Sequence, residues 1–439
     1  MCTAITYKTD NHYFGRTLDV DRLYGEKVCI TPRRFPLPFR RTHTLHSHYA
    51  LIGMALVADG YPLYFDAVNE KGLAMAGLNF PGYAHYRKEE SGRDNVAPFE
   101  FIPWILGQCG SVAQARALCG RTNLMQMDFS DALPAAPLHW IISDREESIT
   151  VEAVEAGIFI YRNAAGVLTN NPPYPMQLFN LNNYRNLSAA TPENTFAEEL
   201  MLDVYCQGMG GLGLPGDLTS ESRFVRAAFT KMNAAKEAGE EESVGQFFHI
   251  LGTVEQTRGC SLVSPGVYET TEYTACMNTD RGIYYYTTYG NRQITGVDLH
   301  KENLDGAELK TYTLIREQQI RRQNSRYEKK KTGGADSPNK AGGTNRAQDA
   351  EQIRRPDRPR ETAAEKEQSY VQRDETKGAA AAAGGLRGGA AARDVGRAGD
   401  GGGGRLSLRG AAQLCVRRFQ DLFSWGEARP QAGQPRPLR

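Results

Sequence analysis

The feature that most limits what this 439-residue chain can fold into is a change of composition near Ser325. Before it, aromatic and branched apolar residues recur in every segment; after it, Gly, Ala, Arg and Pro dominate in runs such as AAAAAGG and GDGGGG. Such a segment cannot bury enough apolar surface to offset its loss of conformational entropy. The sequence therefore predicts one folded domain over residues 1–325 and a disordered tail over residues 326–439.

The two parts also differ in charge. Residues 1–325 carry 29 Lys and Arg against 37 Asp and Glu, whereas residues 326–439 carry 23 against 14, so the net charge of +1 is a cancellation. A basic tail can bind nucleic acid by releasing counterions, but these charges are mixed and few aromatic residues are present to stack on bases. We therefore expect no nucleic-acid partner. Read-through of a stop codon or a frame error is an alternative origin of the tail.

The first residues, MCTAITYKTD, contain no basic leader, apolar signal run or cleavage site, and no later stretch approaches the about twenty apolar residues of a membrane span. These features predict a cytoplasmic protein that does not enter a membrane. The eight cysteines are scattered without a CxxC pair, which indicates neither a disulfide framework nor a zinc site. Most of them suit burial as small apolar residues. Cys2 differs by its position at the N-terminus.

Alternation of apolar and polar residues predicts a β-hairpin from residues 2–7 and 12–20, and three more strands within residues 49–80. Helical spacing predicts a helix over residues 99–118, divided near Gly107 and Gly110. By the same criteria we expect strands at 138–144, 148–154, 157–163, 269–277, 282–288 and 309–314, and helices at 194–207, 221–236 and 242–252. Because strands and helices come in separate blocks, we predict an α+β fold of facing antiparallel sheets with helices outside.

Cys2 is the first candidate for chemistry. Removal of Met1 before a small residue would leave a thiol and a free α-amine on one residue. An unperturbed α-amino group titrates at about 7.7–8.0, so it can accept the thiol proton near neutral pH and later return it to a leaving amine. A frayed terminus is the alternative interpretation. The strand predicted at residues 2–7 argues against it.

The second strand of the hairpin, FGRTLDVD, places Arg16 and Asp19 three residues apart in a segment otherwise suited to burial. Charged groups are rarely buried without partners. A guanidinium beside the thiol would favour the thiolate, and a carboxylate near the α-amine would orient it and stabilise its protonated form. An ordinary salt bridge at the end of a strand is the alternative.

Three further candidates lie beside predicted strand ends or helix starts. Asn79 in GLNFPG and Asn170 in VLTNNPP could donate from their amides to a developing oxyanion, although turn formation alone would also explain both. Arg223 in SESRFVRAAF could hold the carboxylates of such a site together. We expect its neighbour Arg226 to be a solvated helix charge.

Two other motifs indicate no chemistry. GMGGLG, residues 208–213, matches GxGxxG but follows a predicted helix instead of a strand, so the context of a dinucleotide site is missing and a flexible loop is expected. His43, His46 and His48 lie close together without Cys, Asp or Glu at ligand spacing. We therefore predict no metal site there.

Several of these motifs, in this order, resemble the choloylglycine hydrolase family, which contains bile salt hydrolases and penicillin V acylases. The resemblance spans about residues 1–325 and is carried by Cys2 at the start of the first strand, FGRTLDVD, YFDAVNEKGLAMAGLNFPG, LHWIISD, LTNNPPYPMQLFNLNNYRNLS, GLGLPGDLTSESRFVRAAF and YYYTTYGNRQITGVDL. It implies the αββα sandwich of the N-terminal nucleophile hydrolases, a cytoplasmic homotetramer, and catalysis without a metal or organic cofactor.

The resemblance also implies roles for the candidate residues. Cys2 is the nucleophile and its α-amine the base, while the remaining residues flank the thiol, complete the oxyanion and amine-binding groups, or lie at the far side of the site: Arg16, Asp19, Asn79, Asn170 and Arg223. Asn79 resembles the bile-salt branch, because penicillin acylases more often carry an aromatic residue there. An apolar steroid pocket would use large side chains near the thiol, with core packing as the alternative: Leu18, Tyr24 and Phe65.

These features predict hydrolysis of the amide bond of glycine- or taurine-conjugated bile salts through a thioester acyl-enzyme. A penicillin V or acyl-homoserine-lactone acylase with the same catalytic residues is one alternative. A non-catalytic binding protein with a basic tail is another. We expect the preference between glycine and taurine to depend on the loops near Asn79 and residues 128–137.

Overall fold

The computed structural model describes residues 1–323, so the predictions for residues 326–439 and for the boundary at residue 325 lie outside the described residues. The strands are β1 (Cys2–Lys8), β2 (His12–Val20), β3 (Lys27–Thr31), β4 (Leu51–Ala58), β5 (Tyr61–Asn69), β6 (Ala74–Asn79), β7 (Asp94–Val96), β8 (Thr122–Leu124), β9 (Leu138–Ser143), β10 (Ser148–Val154), β11 (Gly157–Arg162), β12 (Val167–Leu168), β13 (Leu262–Ser264), β14 (Val267–Tyr268), β15 (Thr270–Asn278), β16 (Ile283–Thr288), β17 (Asn291–Asp298) and β18 (Lys310–Thr313). The α-helices are α1 (Phe101–Gln108), α2 (Val112–Arg121), α3 (Tyr174–Asn180), α4 (Ser220–Asn233) and α5 (Glu240–Gly252).

Two antiparallel sheets contain most of these strands. One has six strands in the order β12-β1-β2-β15-β16-β17, and the other has eight in the order β11-β10-β9-β6-β5-β4-β3-β18. Each sheet is built mainly from hairpins between strands that are consecutive in the chain, which explains why alternation and turn signals predicted them. The strands predicted at the start of the chain (residues 2–7 and 12–20) and at the end of the domain (269–277, 282–288 and 309–314) are confirmed as β1, β2, β15, β16 and β18.

The hairpin that opens the chain lies inside the six-stranded sheet. β1 and β2 pair in register from Cys2 opposite Leu18 to Lys8 opposite His12. β15 covers the other edge of β2. At Gly15 the two backbones approach so closely that a Cβ atom would collide with the carbonyl of β15, so the position accepts only glycine. The N-terminus is therefore held in a sheet.

Helices cover both outer faces of the paired sheets. α4 and α5 pack on the six-stranded sheet, and α1 and α2 pack on the eight-stranded sheet, while β1 and β2 face β6 between the layers. One apolar core joins both sheets to α4 and α5, and a second joins the eight-stranded sheet to α1 and α2. The predicted αββα sandwich is confirmed. Within residues 1–323 no helix is long and apolar enough to cross a bilayer.

The helix predicted at residues 194–207 is wrong. The backbone there is irregular, and apolar side chains such as Phe196 and Met201 are exposed. The Asn194 side chain accepts the Phe196 N–H (3.2 Å) and donates to the Leu200 carbonyl (2.6 Å), which are local alternatives to helical hydrogen bonds. A helix of this length is marginal unless it packs an apolar face, and these side chains pack on no part of the described domain.

Candidate active site

Cys2 is the first residue of β1 and is buried. Its backbone nitrogen donates to the Asn170 side-chain oxygen at 3.0 Å, and its carbonyl accepts from Arg223 at 2.5 Å. Strand pairing with Leu18 fixes the residue from the other side. The backbone nitrogen and carbonyl of Cys2 are thus held in place by Asn170, Arg223 and the pairing of β1 with β2.

Met1 precedes Cys2 and lies within the same site. Its amine donates to the Asp19 carbonyl at 2.5 Å and forms an ion pair with Glu269, while its carbonyl accepts the Asp19 N–H at 2.9 Å. Burial lowers the pKa of this amine, against the opposing effect of Cys2 and Asp19. As long as Met1 is present, the Cys2 nitrogen is an amide and not an amine.

Arg16 lies on β2 and is completely buried. Its Nη1 donates to the carbonyls of Gly77 (2.5 Å) and Phe65 (3.3 Å), so the guanidinium reaches across to β6 and β5 of the facing sheet. Nη2 has no hydrogen-bond partner among the described residues. Burial alone lowers the pKa of Arg16, but neighbouring groups, Cys2 foremost, raise it above its ordinary value. Arg16 is therefore a fixed cation beside Cys2, and its Nη2 group remains available as a hydrogen-bond donor.

Asp19 is also completely buried. Its carboxylate accepts the hydroxyls of Thr271 (2.6 Å) and Thr17 (3.2 Å). Burial raises the pKa of Asp19, while the positive charges of Arg223 and the chain terminus act in the opposite direction. The hydrogen bonds of Asp19 go to threonine hydroxyls, so the simple Arg16–Asp19 salt bridge considered from the sequence does not describe this pair.

Arg223, near the start of α4, joins that helix to β1. Its guanidinium donates to the Cys2 carbonyl (2.5 Å), the Thr3 hydroxyl (2.7 Å), the Asn170 side-chain oxygen (2.7 Å) and the Leu218 carbonyl (3.0 Å). Burial lowers the pKa of Arg223, and Asp19 and Cys2 oppose that effect. The residue predicted at the far side of the site therefore contacts the nucleophile candidate directly.

The prediction that Arg226 is solvated is wrong. Its guanidinium donates to the carbonyls of Thr253 (2.7 Å), Pro215 (2.8 Å) and Asp217 (3.0 Å), and only 9% of the residue is exposed. These carbonyls end the neighbouring helix and precede α4, where the helix termini leave acceptors without partners. Arg226 thus fixes α4 to its surroundings one turn away from Arg223.

The two candidate asparagines are bonded to each other. Asn170 donates from Nδ2 to the Asn79 carbonyl at 2.7 Å, while its Oδ1 accepts from both Cys2 and Arg223. The partners fix the orientation of the amide, because carbonyls only accept and these nitrogens only donate. One of the two hydrogens on Asn170 Nδ2 is therefore used by the Asn79 carbonyl. Asn79 is exposed at the end of β6.

The three candidate pocket residues differ in exposure. Leu18 is buried opposite Cys2, and the rings of Tyr24 and Phe65 contact each other with centroids 5.9 Å apart while remaining partly exposed. The Phe65 carbonyl accepts from Arg16, which places this residue beside the site. The structure thus brings apolar surface next to the cysteine.

Asp66 belongs to this region and was not predicted. It lies on β5, is completely buried, and accepts the hydroxyls of Tyr273 (2.6 Å) and Tyr284 (2.7 Å) from the facing sheet. Burial raises the pKa of Asp66, and the charge of Arg16 opposes this. A carboxylate inside the apolar run YFDAV was the available sequence signal.

The histidines of HTLHSH make other contacts. His48 bonds the carbonyls of Tyr49 (2.7 Å) and Phe35 (2.8 Å), and the ring of His43 packs edge-on against Trp104. Across residues 1–323 no cluster of three or more His, Cys, Asp or Glu side chains is arranged to hold a metal ion.

A cysteine that opens a strand in one of two facing antiparallel sheets, covered by helices on both sides, is the architecture of the N-terminal nucleophile hydrolases. The site adds buried arginines, a buried aspartate and an oriented amide around that cysteine. The chain belongs to the choloylglycine hydrolase family of linear amide C–N hydrolases, whose profile matches residues 2–312. It is thus an amide hydrolase, as the sequence motifs predicted.

Two relatives are similar over nearly their whole length. The bile salt hydrolase/transferase of Lactiplantibacillus plantarum is 54% identical over 319 residues, which are 73% of this chain and 98% of that protein. The bile salt hydrolase/transferase of Clostridium perfringens is 38% identical over 318 residues, or 71% of this chain and 96% of that protein.

Solved structures agree in fold. A mutant of the conjugated bile acid hydrolase from Clostridium perfringens superposes with a TM-score of 0.69 at 36% identity, covering 74% of this chain and all of the other. Penicillin V acylase from Agrobacterium tumefaciens gives a TM-score of 0.58 at 19% identity, over 71% of this chain and 91% of that one. The second similarity is one of fold alone.

Proposed function

We propose that this chain hydrolyses the amide bond of glycine- or taurine-conjugated bile salts, with Cys2 as the nucleophile. One observation carries the proposal: Cys2 lies at the start of β1 between two buried arginines, in a chain 54% identical to a bile salt hydrolase/transferase. The thiolate is the reactive form of cysteine, and the two guanidiniums place positive charge next to this residue.

In the proposed reaction, removal of Met1 first turns the Cys2 nitrogen into an α-amine. The amine takes the proton of the thiol, and the thiolate attacks the carbonyl carbon of the substrate amide. The proton then passes to the leaving nitrogen, so glycine or taurine departs and the bile acid remains as a thioester on Sγ. Water attacks the thioester carbonyl, which releases the bile acid and restores the thiol.

The surrounding residues have distinct proposed roles. Asn170 accepts from the Cys2 nitrogen and so orients the base, and Arg223 holds Asn170 and the Cys2 carbonyl in place. Asn79, whose side chain is exposed, donates to the developing oxyanion. Arg16 stabilises the thiolate, and Asp19 balances the positive charge around the amine.

The proposed steroid pocket uses the apolar surface beside Cys2, namely Leu18, Tyr24 and Phe65. The amino-acid end of the substrate would lie toward Asn79 and residues 128–137. This placement is supported by the hydrogen bond from the Phe80 N–H to the Pro137 carbonyl, at 2.7 Å, because it joins that loop to the residue after Asn79. The loop is therefore the proposed origin of the preference between glycine and taurine.

Acyl transfer is a second candidate activity. Two relatives are named hydrolase/transferase, and a thioester can be attacked by an amine as well as by water. An amine that replaces water at the second step would form a new bile acid amide and release the same thiol. Incubating the enzyme with a conjugated bile salt and a different free amino acid tests this, since the new conjugate has a different mass.

We further propose a homotetramer in the cytoplasm. The irregular segment around residues 194–207 supports assembly, because it exposes Phe196, Met201 and Tyr205 by 77–90% of their surfaces. Exposed apolar surface of this extent is typical of protein interfaces. Sedimentation of the full chain measures the state of assembly.

The decisive assay is release of free glycine or taurine by protein whose loss of Met1 has been verified by intact mass. We expect Cys2→Ser to lose at least a thousandfold in kcat, whereas Cys260→Ser, at an exposed cysteine, retains it. Equal rates for Cys2→Ser and wild type would refute the nucleophile. A higher kcat/KM for penicillin V than for bile salts would refute the substrate class.

A further inference from the structure

A buried pair of titratable side chains lies behind the two asparagines of the site. His139 on β9 and Glu152 on β10 are 0% and 1% exposed, and Nδ1 of the ring is 3.2 Å from Oε1 of the carboxylate. The other ring nitrogen, Nε2, is 3.0 Å from the Thr169 carbonyl. The ring also stacks on Phe80 at 4.2 Å between centroids, with planes inclined by 8°.

The partners determine where the protons are. The Thr169 carbonyl can only accept, so Nε2 carries a hydrogen and donates it. Glu152 Oε1 also accepts the N–H of Tyr174, the first residue of α3, at 2.8 Å. Glu152 Oε1 thus joins the His139 ring to the start of α3 inside a buried part of the domain.

The position of His139 is the informative feature. Its hydrogen bond ends on the residue before Asn170, and its stacking partner is the residue after Asn79. Asn170 and Asn79 are themselves joined by the 2.7 Å hydrogen bond between Nδ2 and the carbonyl. One ring therefore contacts both chain segments that carry the asparagines.

We propose that His139 is a positioning residue for the amide hydrolysis, acting through Thr169 and Phe80 on Asn170 and Asn79. The inference rests on the proposed function of these asparagines. His139 is fully buried, and its two ring nitrogens are engaged by Glu152 and Thr169; Glu152 holds the ring in the orientation that donates to Thr169.

The segment after β12 has other supports that would survive the loss of His139. Gln177 donates to the Asn170 carbonyl at 2.6 Å, and the Ser220 hydroxyl accepts the Asn170 N–H at 2.8 Å. Loss of the His139 hydrogen bond should therefore displace the asparagines slightly without unfolding the segment. Small displacements of groups that act in the transition state lower kcat more than they change KM.

The test compares His139→Phe, His139→Gln and wild type in the Met1-processed full chain. Phenylalanine keeps the stack on Phe80 but has no donor, and we expect kcat for glycine release to fall about tenfold or more with KM changed less than about twofold. Glutamine keeps an N–H near the position of Nε2, so it should recover most of kcat.

His12→Phe is the matched control. His12 is also a buried histidine with two ring hydrogen bonds, to Thr279 (2.8 Å) and Ser143 (3.1 Å). It pairs with Lys8, six residues along β1 from Cys2, or about 20 Å at the rise of a strand. We expect the His12→Phe change to lower the melting temperature. Its kcat should equal that of wild type when the rate is divided by the amount of Cys2 that iodoacetamide can alkylate.

The possible outcomes separate the two proposals. If wild type releases neither glycine nor taurine, the proposed function fails, and the same variants are compared with penicillin V, because positioning of the asparagines concerns any amide. If wild type is active and His139→Phe keeps its kcat, the positioning role is refuted while the function stands. Equal losses in His139→Phe and His12→Phe would also refute it, since they would reflect stability alone.

Discussion

Arg223 and Arg226 allow catalysis to be separated from stability within one helix. Both are buried arginines on α4, three residues apart, and both donate to several oxygens. Only Arg223 reaches the Cys2 carbonyl and Asn170. The perturbation is the change of either arginine to methionine, which keeps much of the volume of the aliphatic stem and removes the guanidinium.

The magnitude follows from the contacts. Arg223→Met leaves the Cys2 carbonyl, the Thr3 hydroxyl and the Asn170 oxygen without their charged donor, and hydrogen bonds to charged groups contribute about 1.5–3 kcal/mol each. Relief of the burial cost of the guanidinium offsets part of this loss, so we expect a net destabilisation of about 3–5 kcal/mol. Arg226→Met loses three carbonyl contacts and should cost a similar amount.

Activity should respond differently. Asn170 Oδ1 has two donors, Cys2 and Arg223, and loss of one frees the amide to rotate away from the base. We expect kcat of Arg223→Met to fall about 100-fold, or about 2.7 kcal/mol of transition-state stabilisation. Arg226→Met should keep kcat within about twofold when the rate is expressed per folded molecule.

The assay combines urea unfolding with kcat for amino-acid release, corrected by the amount of Cys2 that iodoacetamide can alkylate. If both variants lose a similar amount of unfolding free energy but only Arg223→Met loses kcat, the contacts of Arg223 with Cys2 and Asn170 have the proposed role. If both variants are destabilised alike and both retain kcat, Arg223 only fastens α4 to β1, and the reasoning is wrong.

Three other outcomes are expected. Burial lowers the pKa of His12 from 6.5 to about 4. Because the unfolded chain therefore binds a proton at a higher pH than the folded chain, the contribution of His12 to stability is present above pH 6.5 and is lost as the pH falls to 4. Between these pH values the unfolding free energy of wild type should fall by about 3 kcal/mol more than that of His12→Phe, as measured by urea titrations at both pH values. Gly15→Ala should destabilise the domain by at least about 3 kcal/mol because its Cβ has no room against β15, whereas Gly245→Ala, in open space on α5, should be neutral or stabilising in the same thermal melts. Replacing Phe196 and Met201 by serine should shift the sedimenting species toward the monomer with little change in kcat per folded chain, and an unaltered tetramer would show that these side chains are not at the interface.

Local sequence patterns predicted most of the sheets and helices. Strands such as β1, β2 and β15 are seven to nine residues long and bounded by turns, so the sequence pattern located them within a residue or two. β12 is only two residues long and α3 begins at a Pro-rich turn, so neither had a periodic signal. The helix prediction at residues 194–207 failed for the opposite reason: the composition of the segment is typical of a helix, but its apolar side chains do not pack against the rest of the domain.

Charged residues within apolar runs indicated the site, but their partners could not be predicted. Arg16 and Asp19 were visible as charges in a strand suited to burial, and Arg223 as a charge at a predicted helix start; all three are completely buried. Asp66 and His139 carried the same kind of signal in YFDAV and LHWII. Their importance depends on contacts between strands far apart in the chain, and a single sequence does not specify which buried groups meet.

Met1 also sets an order of events during synthesis. In the folded chain its amine and carbonyl are held by Asp19 and Glu269, so a peptidase could not reach the bond to Cys2 without opening the first strand. If Cys2 acts through its free α-amine as proposed, Met1 must be removed before β1 pairs with β2. An N-terminal purification tag, or refolding of protein that still carries Met1, should give a correctly folded but permanently inactive enzyme.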